Sequence, residues 1–137
     1  MNRADLQKLS NIRIREAQIL FTAGEYSGAY YLAGYAVECA LKACFAKSVN
    51  RYDYPDKNRA GKIFTHKLVD LARLANLDAD FATDRNANSK LDGSWLLVCN
   101  WTEDSRYSVW TKTEAEAILD AITGKNDGVL SWIKRRW

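Results

Sequence analysis

Glu38 and Lys42 stand four residues apart, in the order that lets an acid and a base meet on one face of a helix. On an open surface such a pair contributes little. Glu38, however, borders the apolar residues Val37 and Leu41, where an unpaired carboxylate is expensive, so a partner is required. Arg106 is the expected one, in an ion pair that would fasten a late connection to the helix and help to shape a polar cleft. His66 is the only histidine of the chain. It falls in the predicted first turn of another helix, where the dipole disfavours the protonated ring, and Lys67 beside it could assist an anion at that helix start. Histidine can move a proton and arginine can stabilise a phosphate, so His66 and Arg106 are the candidates for catalysis. Nothing in their spacing assembles a nucleophile and a base, and a structural or merely exposed histidine is the plain alternative.

Other chemistries find less support. Cys39, Cys44 and Cys99 are odd in number, and the first two point to different helix faces, so no disulfide between them is expected and all three read as buried free thiols. The chain has no Cys-x-x-Cys or Cys/His grouping, which argues against zinc, and no cofactor is expected. A formal charge of +3 is too small to announce nucleic-acid binding by itself. Lys134, Arg135 and Arg136 read as a solvated helix end whose cations suit the dipole. Tyr52, Tyr54, Tyr107 and Trp110 fall in predicted loops and are better placed for ligand contact than Tyr26, Tyr30, Trp95, Trp132 and Trp137. Those five sit at helical spacing and read as core or dimer-interface packing. Arg51, Lys57, Arg59 and Lys62, around the first tyrosine pair, fit a nucleic-acid or phosphate contact and equally a solvated loop.

These residues must be positioned by helices. The chain of 137 residues, 47% apolar and 27% charged, matches a single ordinary globular domain. No apolar run approaches the ~20 residues of a membrane span, and the N-terminus continues into an amphipathic pattern, so a cytoplasmic location is expected. Apolar residues recur at helical spacing almost everywhere, with one proline, Pro55. A first amphipathic helix is predicted over Asp5 to Thr22, stopped by Gly24 in a left-handed cap. A second runs from Tyr26 to about Ser48. Its Gly28, Ala29, Ala33, Gly34, Ala36, Ala40, Ala43 and Ala46 allow close backbone approach, which suggests an interface, including one with a second subunit. Asn50 to Phe64 reads as an exposed loop. Thr65 can cap a helix from His66 to about Ala75. Asp80 to Trp101 is helical in its second half, and Thr102 to Thr111 is a connection. Thr113 can cap a last helix whose apolar stripe continues to Trp137 across Gly124 and Gly128, which favours one long helix over two.

The second helix carries a resemblance. Gly24-Glu25-Tyr26, Ala29-Tyr30, Glu38 and Ala40-Leu41-Lys42-Ala43, in that order, resemble the signature helix of the HEPN family, the higher-eukaryote and prokaryote nucleotide-binding domains. Thr65-His66-Lys67-Leu68, the stretch from Trp101 to Arg106-Tyr107, and Gly128 to Trp137 are similar to its downstream landmarks. The resemblance implies an all-α, up-and-down bundle of four to five helices, often a homodimer, in proteins tied to nucleotide or RNA metabolism. Many members accompany a minimal nucleotidyltransferase, and some are ribonuclease toxins or defence effectors. Glu38, Lys42, His66, Arg106 and Tyr107 are then the expected ligand-binding residues. The family's nucleases carry an Arg followed, after four to six residues, by a His near the start of a late helix. Here Arg106 leads into Thr111-Lys112-Thr113 with no histidine. The one pair with suitable spacing, Arg59 and His66, lies before the third predicted helix, where Ala60 replaces the polar residue common after the arginine. A binding or partner module is therefore the favoured expectation, with a metal-independent endoribonuclease and a structural oligomerisation bundle as alternatives.

Overall fold

The computed structural model describes residues 1–49 and 57–137, and these are helical with no strand among them. In chain order the helices are α1 (Arg3–Thr22), α2 (Tyr26–Ser48), α3 (Lys57–Lys62), α4 (Leu68–Leu74), α5 (Asp78–Ala87) and α6 (Ser89–Val98). A 3-10 turn (Glu103–Tyr107), α7 (Lys112–Thr123) and α8 (Val129–Lys134) complete them. The all-α character expected from periodicity is what forms, and its helices pack as a bundle. The described residues hold eight α-helices rather than four to five, because two predicted elements are divided and part of a predicted loop is helical.

Asn2 and Asp5 close a capping box at the start of α1. At its end Gly24 takes φ +84°, the left-handed region that glycine enters without penalty. The chain then reverses, so that Gly28 lies against Leu20 and the Ser10 hydroxyl donates to the Ala36 carbonyl at 2.7 Å. The second helix is the hub. Ala29, Ala33, Ala36, Val37, Ala40 and Leu41 are wholly buried, and α1, α4, α7, α8 and the 3-10 turn all pack on it.

Its small residues serve this chain. A Cβ on Gly34 would lie 2.3 Å from the Trp101 ring and one on Gly28 would lie 3.1 Å from Leu20, so the interface suggested by these glycines is intramolecular. Four boundaries also differ from expectation. Part of the predicted loop, Lys57–Lys62, is helix α3. The fourth helix starts at Leu68 rather than His66, because the Thr65 hydroxyl accepts from the Lys67 amide and turns the chain before the helix begins. The segment before Trp101 is two helices, parted at Asn88, whose side chain caps α6 by accepting from the Lys90 and Leu91 amides. Thr111, not Thr113, caps α7 in a box with Glu114.

The single long C-terminal helix is also two. Gly128 N donates to Gly124 O at 3.0 Å, and a Cβ on Gly128 would sit 2.3 Å from that same carbonyl, an approach that only glycine permits. The apolar stripe continues across the break because α8 folds back on α7. Cys39 and Cys44 are buried free thiols as expected, whereas Cys99, also free, is only half-buried. No helix among the described residues is long and apolar enough to cross a membrane.

Candidate functional site

Glu38 projects from the centre of α2 and is 2% exposed. Its Oε1 accepts from Lys42 Nζ at 2.8 Å, the pairing expected from an i, i+4 spacing, and contacts His66 Nδ1 at 2.9 Å. A carboxylate oxygen that already takes an ammonium is an acceptor, so Nδ1 carries a hydrogen and donates to it. Oε2 is buried and has no partner among the described residues. His66 is 45% exposed, and its Nε2 has no hydrogen-bond partner among the described residues. The histidine thus hangs at the mouth of a buried charge. Because α4 starts two residues later than expected, its position is set by Glu38 and not by a helix dipole.

Along the same face of α2, one and two turns earlier, Tyr35 and Tyr31 stack with ring centroids 6.2 Å apart. Arg13 of α1 lies 6.0 Å from the Tyr35 ring, and Trp101 stacks on Tyr31 at 6.0 Å, seated in the space left by Gly34. Burial raises the Tyr35 phenol pKa, with neighbouring Cys39 and Glu38 adding to the effect. The Cys39 thiol is pushed up to about 11, by burial first and then by the Glu38 charge, so it is no nucleophile near neutral pH. Arg106, on the 3-10 turn, is exposed and lies 4.9 Å from the Tyr107 ring, which is itself 77% exposed. Its pKa is raised by the phenols of Tyr107 and then Tyr31, which favour the charged guanidinium.

The structure therefore brings Glu38, Lys42 and His66 together and places Arg106 and Tyr107 at the other end of a tyrosine-floored row. The expected Glu38–Arg106 ion pair does not form: Glu38 already holds Lys42 and His66, and Arg106 meets tyrosines instead. Arg59 is equally remote from a catalytic role. Its guanidinium donates to the Leu74 carbonyl at 2.8 Å and to Ser48, and lies over Phe45, so it ties α3 to α2 and α4. Trp110, placed among the loop aromatics, stacks on Tyr30 at 3.7 Å and donates to the Ser105 carbonyl, which makes it a packing residue. Tyr52, Tyr54 and Arg51 lie outside the described residues. Sequence reasoning missed the row itself, although Tyr31, Tyr35, Glu38 and Lys42 recur at four, three and four residues, a spacing that marks one helix face.

The described residues hold no group of three or more His, Cys, Asp or Glu suited to a metal ion. The chemistry on offer is hydrogen bonding from an oriented imidazole, cation contacts from Lys42, Arg13 and Arg106, and ring stacking on tyrosine. No family model matches the chain, and no curated protein or solved structure is significantly similar to it.

Proposed function

We propose that this chain is a HEPN-like module that binds a nucleotide or RNA on the α2 face running from His66 to Arg106. The observation that carries the reading is the buried Glu38 carboxylate holding a half-exposed His66 beside stacked tyrosines. A half-satisfied buried carboxylate is a poor way to stabilise a helix bundle, and arrangements of this kind concentrate at functional sites. Aromatic faces flanked by cations suit bases and phosphates. A homodimer, a nucleotidyltransferase partner and a place in a toxin–antitoxin or defence system belong to the same proposal. They rest on the resemblance of Gly24 to Ala43 to the HEPN signature, since Gly28 and Gly34 are occupied within the chain.

The experiment is a thermal-shift titration with nucleotides and short RNAs on the wild type, His66→Ala and Arg106→Ala. The expected outcome is a ligand-dependent rise in Tm for the wild type that both variants reduce. No shift with any ligand removes the reading. The endoribonuclease alternative gains one observation, the oriented imidazole with its free Nε2. Neither Arg59 nor Arg106 is paired with it. Incubation with total RNA decides: cleavage by the wild type that both variants lose would replace the binding reading with the nuclease one. Light scattering on the 15.6 kDa chain tests the dimer.

A further inference from the structure

The two ends of the α2 row differ in charge and in hydrogen-bonding sense. At one end the Glu38 carboxylate and the Lys42 ammonium offset each other at 2.8 Å. In its neutral form the His66 ring, with Nδ1–H committed to Glu38 at 2.9 Å, offers Nε2 to solvent as an acceptor. An acceptor takes an O–H or N–H from a ligand and repels a phosphate oxygen. At the other end the Arg106 guanidinium is exposed and has no ion pair with a carboxylate among the described residues. It lies 4.9 Å from the Tyr107 ring, and the planar fork of donors that a guanidinium carries suits a phosphate. Between the two ends lie the stacked Tyr31 and Tyr35 rings. The helix rises about 10 Å from Tyr31 to Glu38, which is the scale of one nucleoside phosphate rather than of a bare anion.

Resting on the binding reading above, we infer that this face takes a nucleoside phosphate in one orientation. The phosphate lies on Arg106, the base or sugar lies on the tyrosines, and a ligand hydroxyl or amino group donates to His66 Nε2. Glu38 is a positioning residue. It fixes which ring nitrogen carries the hydrogen and therefore what the site can accept. Phosphate alone belongs at the Arg106 end, and a nucleoside alone belongs at the His66 end.

The test is an NMR titration of the full chain near pH 7.5, following the His66 ring nitrogens and the Arg106 side-chain N–H. The probes are the four 5′-mononucleotides, the four nucleosides and inorganic phosphate. We expect mononucleotides to move both sets of signals, nucleosides to move His66, and phosphate to move Arg106. Arg106→Ala should weaken mononucleotide binding about tenfold and leave nucleoside binding within about twofold. His66→Ala should weaken the nucleoside about fivefold without altering the phosphate response, and His66→Gln, which keeps a carbonyl acceptor, should recover part of the loss. Both residues are exposed, and unchanged amide spectra will show that the variants fold. Phosphate moving His66, or Arg106→Ala weakening nucleoside and mononucleotide alike, overturns the orientation and leaves the binding reading standing. No response to any nucleotide or nucleoside overturns both.

Discussion

Asp84 of α5 and Glu38 at the centre of α2 each gather donors from two other side chains on one oxygen. Asp84 Oδ2 accepts from Trp132 Nε1 at 2.7 Å and from Arg136 Nη2 at 3.0 Å. Its side chain is 44% exposed, so water can serve the remaining lone pairs. Both donors are committed to the fold. Trp132 stacks on Phe81 at 4.1 Å, and Arg136 covers the Trp132 ring at 3.5 Å while donating to the Trp132 carbonyl. Glu38 reverses each of these features. It is buried, one oxygen has no partner among the described residues, and one of its donors faces solvent with a nitrogen to spare. The same bonding pattern is a structural clamp where both donors are committed to the fold and a candidate site where one of them keeps a nitrogen to spare.

Mutation should separate the two, most strongly at the clamp. Trp132→Ala removes a buried indole and is expected to cost about 3–5 kcal/mol in urea unfolding, with any surviving folded fraction binding ligand as before. A loss of binding at constant stability would mean that the clamp is not merely structural. Next in size is Gly34→Ala, whose Cβ must displace the Trp101 ring 2.3 Å away. About 1–3 kcal/mol is expected, together with displaced Arg106 signals, because the indole anchors the connection that carries Arg106.

The carboxylates themselves come third. Asp84→Ala should lose about 1–3 kcal/mol by leaving the Trp132 N–H without its acceptor. Glu38→Gln should change stability by less than about 1 kcal/mol, since the amide oxygen still accepts and the vanished desolvation penalty of a buried carboxylate offsets the lost ion pair with Lys42. Equal losses at the two positions, measured in the same unfolding series, would abolish the distinction drawn between them.

A separate effect, confined to high pH, concerns the thiols that border these regions. Burial pushes Cys39 and Cys44 up to about 11. Folding favours their protonated forms, so this contribution is complete below about pH 9 and is lost as pH rises towards 11. Unfolding midpoints should fall across that window, and less so in Cys39→Ala. Iodoacetamide near pH 8 should label half-buried Cys99 before either of the others.

The extent of α2 was legible in the sequence because its signals are local: a glycine free to take a positive φ, then a run of small residues at helical spacing. Glu38's need of a partner was legible too, from its apolar neighbours. Which partner was not, since His66 reaches it from 28 residues away and only the packing of α4 on α2 brings them together. The break at Gly124 and Gly128 escaped for a different reason. An apolar stripe continues unchanged through a helix that doubles back, so periodicity alone cannot reveal the reversal. The Gly34 seat for Trp101 looked like a surface for a second subunit because sequence shows a missing side chain without showing what fills the space.

That seat also bears on the order in which the face is completed during synthesis. The α1–α2 hairpin and the Glu38–His66 contact are made by residues that precede Trp101 in the chain. The indole arrives later, bringing the guanidinium with it. A nascent chain halted before Trp101 would lack the Arg106 end of the row, so whatever needs both ends must wait until the indole and the turn behind it have been made.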